Sequence, residues 1–363
     1  MPMAKKIENE YQPDELSAPG ETLLEVLEER GLTQTTLARR TGRPKKTINE
    51  IIKGKTTITA ETALQLERVL GVPASFWNAR QRDYEEWRAR RDERASLEGH
   101  VDWLKQFPVR DLVKLGWIEK RKDKVEQLRE LLSFFGVVSP DQWAEEWTSP
   151  SAAFRASSAF EANEAAVAAW LRRGEIEGRE MPCNAFDPDL FRGSLAMFRG
   201  LTREPIEKAI KDLVRTAAMA GVAIVFIRSV KGVRASGATR WLSPDKALMQ
   251  LNLRYRRADQ LWFTVFHEVG HILLHGKKRV FIENGEKDDE EHEANEFAAD
   301  FLIRPKDYRR FVAREVFTRT SVTRFAAHQG ISPGIVLGRL QREKHIPFDR
   351  LNGLHDRLKW ADE

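Results

Sequence analysis

Between Leu261 and His275 the chain reads Leu-Trp-Phe-Thr-Val-Phe-His-Glu-Val-Gly-His-Ile-Leu-Leu-His, apolar except for Thr264, Glu268 and the histidines. The pattern predicts a buried helix from Gln260 to His275. His267 and His271, four residues apart, then project from one face a single turn apart. Two imidazoles so placed can ligate one ion, and Glu268 between them can accept a proton from a water that the ion acidifies. This is the chemistry of zinc-assisted amide hydrolysis. The competing explanation is two satisfied core histidines beside a chance glutamate. An apolar helix does not normally gather three ionisable groups without a partner, because bare charges are costly to bury.

A catalytic zinc needs a third protein ligand and one open position. The chain has one cysteine, Cys183, so the metal must be held mainly by histidine and carboxylate. Leu274 and Lys277 stand where a metzincin needs Gly and His, which excludes that class. Downstream, Ala294, Phe297, Ala298 and Phe301 mark the buried face of a second predicted helix, with Glu293 and Glu290 near its edge. Glu293 is the preferred third ligand, Glu290 the next and His292 the last; the acidic residues of 283–291 otherwise read as a solvated loop. His275 falls at the helix end, where it either meets free carbonyls or supports the site. His328, Tyr308 and His345 are candidate transition-state donors. The predicted strand Ala247 to Leu253 is expected to accept an extended substrate by strand addition.

The elements that must position these groups change character along the chain. Four short helical segments lie between Glu21 and Trp77, punctuated by Gly31, Gly42, Gly54 and Gly71. Asn78 to Glu98 is a highly charged, helix-prone connector. Residues 101–220 read as helical, with Ser139-Pro140-Asp141-Gln142 as a capped start. Beyond Gly221, strands are predicted at Val222 to Ile227, Gly237 to Leu242 and Ala247 to Leu253, followed by the metal helix and further helices to Trp360. The expected division is a flexible arm (1–18), a helical DNA-binding domain (19–77), the connector (78–100), a helical middle region (101–220) and a metal domain (221–363). The expected fold class is mainly α with a small β-sheet: an all-α helix-turn-helix domain plus an α+β zincin-like domain of the gluzincin type.

Charge supports that division. The net charge is only +5, yet Arg30 to Lys55 holds eight basic residues against the single acid Glu50. Such a local excess suits a phosphate backbone. Two helices opening near Thr33-Gln34 and Lys45-Lys46 have the layout of a helix-turn-helix whose second helix enters the major groove. Gln34, Arg43, Lys45, Lys46, Thr47, Asn49 and Lys53 are the candidate contacts to phosphates and base edges. A helical bundle with a solvated basic face is the alternative. No N-terminal apolar run resembles a signal peptide, and no segment approaches the roughly 18 apolar residues of a membrane span. With one cysteine, a reducing cytoplasm and no membrane partner are expected.

Two stretches carry family resemblance. Gly31-Leu-Thr-Gln-Thr-Thr-Leu-Ala-Arg-Arg-Thr-Gly and Lys46-Thr-Ile-Asn-Glu-Ile-Ile-Lys-Gly-Lys, with Thr62-Ala-Leu-Gln-Leu-Glu and Ser75-Phe-Trp, resemble the XRE-type helix-turn-helix of HigA-like antitoxins. His267-Glu-Val-Gly-His and Glu293-Ala-Asn-Glu-Phe-Ala-Ala, within about 221–342, are similar to the ImmA/IrrE metallopeptidases; Arg304 departs from the apolar residue often found before the proline there. The resemblance implies a bacterial or phage cytoplasmic regulator. In it, Zn2+ is held by His267, His271 and Glu293, and Glu268 is the base. Its partners would be a double-stranded DNA operator and a protein substrate: a repressor, an antitoxin or the chain itself. A homodimer is expected from the binding habit of helix-turn-helix proteins. The rival is a regulator or antitoxin whose zinc domain is a sensor or scaffold with little proteolysis.

Overall fold

The computed structural model describes residues 16–147, 163–277, 280–282 and 289–360. Most of the expected N-terminal arm therefore lies outside the described residues. The chain divides into two compact units, residues 1–100 and 101–363.

In the first unit, helices α1 (Pro19–Glu29), α2 (Gln34–Thr41), α3 (Lys45–Ile52) and α4 (Ala60–Leu70) close around Leu23, Leu27, Leu37, Ile48, Ile51, Leu66 and Leu70. Thr33 and Thr59 cap α2 and α4 by accepting the Thr36 and Thr62 amides, and Gly42 and Gly71 end these helices in the left-handed conformation. Helix α5 (Ala74–Glu98) seats Trp77 in the same core, and charged residues dominate its remaining length.

The second unit opens with helical segments that include α6 (Val109–Lys114), α7 (Lys124–Phe135), α8 (Pro140–Trp147) and α9 (Glu164–Glu180), then α10 (Pro188–Leu201) and α11 (Ile206–Met219). A sheet follows: β1 (Val222–Phe226), β2 (Gly237–Ser243), β3 (Lys246–Leu251) and β4 (Phe281–Ile282), in the order β1-β3-β2-β4. Strand β1 runs parallel to β3, and β2 is antiparallel to both β3 and β4. Strand β3 is central, paired on both sides, so the expected strand addition there is corrected: its backbone groups are spent on β1 and β2.

Both faces of the sheet are covered, so its strands read as nearly continuous apolar runs. Val222, Ile224, Ala247, Met249 and Leu251 join a core with α10, α11 and α12 (Ala258–Leu274), the helix that carries His267 and His271. Ala223, Val225, Leu248 and Ala238 pack instead against α9 and the helices before it. The middle region thus covers both faces, α9 and the helices before it on one and α10 and α11 on the other. Gly174 and Gly178 let α9 lie close: a Cβ at either would meet the Gln250 or Leu248 side chain below 3.0 Å. Trp170 seals the contact, its indole N–H donating to the Ile227 carbonyl at 3.3 Å. Helices α13 (Asp289–Leu302), α14 (Pro305–Val312), α15 (Arg319–Gln329) and α16 (Pro333–Arg342) complete the unit.

Candidate metal centre

Helix α12 is buried along almost its whole length. Leu261, Trp262, Val265, Phe266, Val269 and Ile272 form the apolar majority that holds it in the core. Trp262 and Phe266 alone contribute about 1.5–3 kcal/mol each on burial. That anchoring carries His267, Glu268 and His271 inside with it, at 0%, 0% and 1% exposure.

The partner that makes this tolerable is Glu291, in the first turn of α13. Its carboxylate lies 3.2 Å from His267 Nε2 and 3.1 Å from His271 Nε2, and the two Nε2 atoms are 2.9 Å apart. Ligands about 2.1 Å from a shared tetrahedral ion sit about 3.4 Å from one another, so the three donors need to spread by only a few tenths of an ångström. His267, His271 and Glu291 form a buried cluster able to hold a metal ion, the one such group found among the described residues.

The protonation states suit that role. Burial, with the neighbouring His267 and His275 adding to it, holds His271 down to about 4 against the pull of Glu291, so its imidazole is neutral near pH 7. Burial alone would raise Glu291, but the hydrogen bonds and charge of His267 and His271 outweigh it and hold the carboxyl ionised, at about 2. Neutral imidazole and carboxylate are the forms that bind metal.

The structure thus corrects the third position from Glu293 to Glu291. The Glu293 side chain is 61% exposed, against 7% for Glu291. The reason lies in how α12 and α13 meet. Gly270 faces Ala294 so closely that a Cβ would come within 3.1 Å of the Ala294 Cα. This contact sets the rotation of α13 so that Ala294, Ala298 and Leu302 point inward, with Phe297 and Phe301 only half-buried. Glu291, three residues before Ala294 and seven before Ala298, lies on that inward row. The same spacing is present in the sequence, but the two phenylalanines point to a different face. Glu290 is half-buried, and exposed His292 pairs with Glu296 at 3.4 Å.

Glu293 acts one step out. It lies 3.2 Å from His275 Nε2, and His275 Nδ1 lies 2.9 Å from His271 Nδ1. His275 therefore supports His271 at its second ring nitrogen, as outer partners of metal-binding histidines do. Phe281 of β4 stacks on the His271 ring at 4.2 Å.

Glu268 faces the sheet. Its Oε2 accepts a hydrogen bond from the Thr239 hydroxyl at 2.6 Å, and Gly237 leaves room for it, since a Cβ there would meet Oε1 at 2.4 Å. Neither β2 residue stands out in the sequence; strand pairing brings them to the helix. The candidate donors are engaged elsewhere. Tyr308 donates to Glu343 at 2.9 Å, His345 lies 3.4 Å from the same carboxylate, and His328 Nδ1 meets the Gln329 amide at 3.3 Å.

In the first unit, Lys45, Lys46 and Lys53 are exposed on or next to α3, and Thr47 is half-buried on it. Gln34 and Asn49 meet across α2 and α3 at 3.3 Å. Arg43 turns to α4, donating to Gln65 at 2.5 Å and pairing with Glu61 at 3.3 Å.

Fold and site together define a two-part protein: a small helix-turn-helix unit, and an α+β unit holding a buried His-His-Glu cluster. The comparisons agree part by part. Residues 23–77 match the family described as helix-turn-helix, and residues 224–341 match the IrrE N-terminal-like domain of peptidase family M78, so the chain carries both. Among solved structures, it is similar to an addiction module antidote protein of a HigA family from Coxiella burnetii (28% identity, covering 23% of this chain and 92% of that one, TM-score 0.22). It is similar also to the Pseudomonas aeruginosa antitoxin HigA with the higBA promoter (29%, 23% and 94%, TM-score 0.22). No curated protein matches the chain.

Proposed function

We propose that the chain is a cytoplasmic DNA-binding transcriptional regulator whose second unit is a zinc-dependent endopeptidase. Its substrate is a repressor or antitoxin protein, or the chain itself, in a stress, phage or toxin–antitoxin response. The observation that carries this reading is the convergence of His267, His271 and Glu291, with Glu268 next to His267 on the same helix and its carboxylate held by Thr239. The helix-turn-helix family match supports the regulatory part. Among the described residues no helix is long and apolar enough to cross a membrane.

His267 and His271 would hold the ion through Nε2 and Glu291 through a carboxylate oxygen. Bound zinc supplies Lewis acidity, polarising a carbonyl and acidifying water. Glu268 takes the proton of the attacking water and returns it to the leaving amine. The Thr239 hydroxyl fixes the Glu268 carboxylate through its hydrogen bond to Oε2. Glu293 and His275 hold the His271 ring in place.

Burial of all four groups also favours a second reading, in which the ion is a structural or sensory element of a regulator with little proteolysis. Glu268→Gln separates the two. The zinc-loaded variant should keep metal and DNA binding yet lose cleavage of neighbouring-gene products, checked by mapping new termini. Regulation and termini unchanged in that variant would establish the second reading instead.

A further inference from the structure

His267, Glu268, His271 and Glu291 are 0%, 0%, 1% and 5% exposed, which leaves them out of reach of a polypeptide while the second unit keeps this conformation. The element that closes over His271 is β4. Phe281 stacks on the His271 ring, centroids 4.2 Å apart and planes within 15°, and its ring lies 5.2 Å from that of His275. We infer that β4 is a built-in pseudosubstrate: it fills the edge of β2 that takes the substrate, and the substrate is an extended apolar segment that replaces it. This rests on the peptidase reading above, and it names the substrate class and the restraint on the site.

Strand pairing points to this edge. Strand β3 covers one side of β2 from Gly237 to Ser243; among the described residues the other side is met only by β4, through Thr239 opposite Phe281 and Ala238 opposite Ile282. Thr239 is the residue that holds Glu268, and Gly237 is the one whose missing Cβ leaves room for it, so this stretch of edge lies directly beside the base. A peptide added to a sheet edge is held by backbone hydrogen bonds and selected by pockets for its alternate side chains. Strand β4 already shows that pattern. Phe281 turns to the His271 ring, while Ile282 and, less deeply, Val280 join the core on the α9 side of the sheet. The matching segment of the substrate carries a large aromatic residue between β-branched ones.

Strand β4 is also the least secured strand. It pairs over two residues, against five for β1 with β3. Elements with so few contacts are the first to open. It lies on the connection between α12 and α13, so it can leave β2 while those helices stay packed through Gly270 and Ala294. A strand tethered in this way competes at an effective concentration on the order of millimolar, which holds off weak ligands and yields to a well-matched one.

The probe is a fluorescein-labelled peptide copying residues 277–284, Lys-Lys-Arg-Val-Phe-Ile-Glu-Asn. It is titrated into the zinc-loaded full chain bearing Glu268→Gln, which does not consume it. Phe281→Ala in that chain should bind the probe at least tenfold more tightly and release zinc to a chromogenic chelator at least threefold faster. A probe with Ser in place of Phe should bind at least tenfold more weakly. Ala238→Cys with Ile282→Cys, in a Cys183→Ser background, tests the same point without removing the aromatic ring. These positions face each other across β2 and β4, so oxidation should abolish probe binding and reduction should restore it. Binding unchanged or weaker in Phe281→Ala, or equal in the oxidised and reduced cysteine pair, would overturn the inference and make β4 a fixed part of the sheet. The expected binding pattern without cleavage by the chain that retains Glu268 would sink the peptidase reading and leave strand replacement standing. Cleavage with binding unmoved by these variants would do the reverse.

Discussion

In residues 16–100 no ionisable side chain among those described is buried; the core is Leu, Ile, Val, Ala and Trp, and the lysines and arginines lie at or near the surface. Helix α12 does the opposite, taking two histidines and a glutamate fully inside and drawing Glu291 after them. The contrast separates two ways of carrying function. Surface cations need no support from the fold and act through a salt-sensitive, reversible encounter. A buried cluster must be offset by partners built into the structure, so its chemistry and the stability of its unit are coupled.

That coupling can be broken most forcefully at the metal. With zinc a thousandfold above its Kd, binding adds about 4 kcal/mol to the second unit. Chelation should therefore lower its melting temperature by several degrees, and Glu291→Ala should abolish the response in thermal scans. The first unit should be indifferent to chelator.

Acid provides the next largest effect. His271 sits near 4 when folded and 6.5 when unfolded. Between those values the unfolded chain takes up a proton that the folded state refuses, so stability falls as pH falls. In metal-free protein the loss from pH 6.5 to 4 should reach on the order of 3 kcal/mol. Glu291, lowered from 4.5 to about 2, extends the loss in the same direction below pH 4.5. Denaturant melts at stepped pH should show this slope in the second unit; a flat profile there would remove the contrast.

A subtler probe is Gly270→Ala. The added methyl presses on Ala294, costs about 1–2 kcal/mol and moves Glu291 off the histidines. Zinc affinity should drop about 10–100-fold, read by competition with a chromogenic chelator. The smallest effects belong to the surface. Lys45→Ala, Lys46→Ala and Lys53→Ala should each weaken DNA binding by about 1 kcal/mol or less across all sequences and reduce the salt slope by about one. A loss of thermal stability in these variants would mean that the basic face is structural.

Legibility in the sequence follows the range of the interaction. His267, Glu268 and His271 are readable because one helical turn relates them, whatever surrounds the helix. The four helices of the first unit are readable for the same reason, since Thr33, Thr59, Gly42 and Gly71 act on their own helix ends. Glu291 is not, because the phase of α13 depends on a contact between Gly270 and Ala294, which are distant in sequence. Phe297 and Phe301 suggest a different inward face, and their half-burial becomes visible only once α12 is in place.

The sheet repeats the lesson. Three strands can be located from short apolar runs, the first of them β-branched, but their order cannot. Placing β3 between β1 and β2 closes the backbone expected to receive substrate, and it brings Thr239 and Gly237 to Glu268. By itself the sequence determined the identity and spacing of the groups on one helix and the local charge of one basic segment, because both are set within a few turns of chain. Tertiary structure alone decided which acid joins the two histidines and which hydroxyl holds Glu268. Each of these depends on which surfaces meet, and that is settled by packing the whole core.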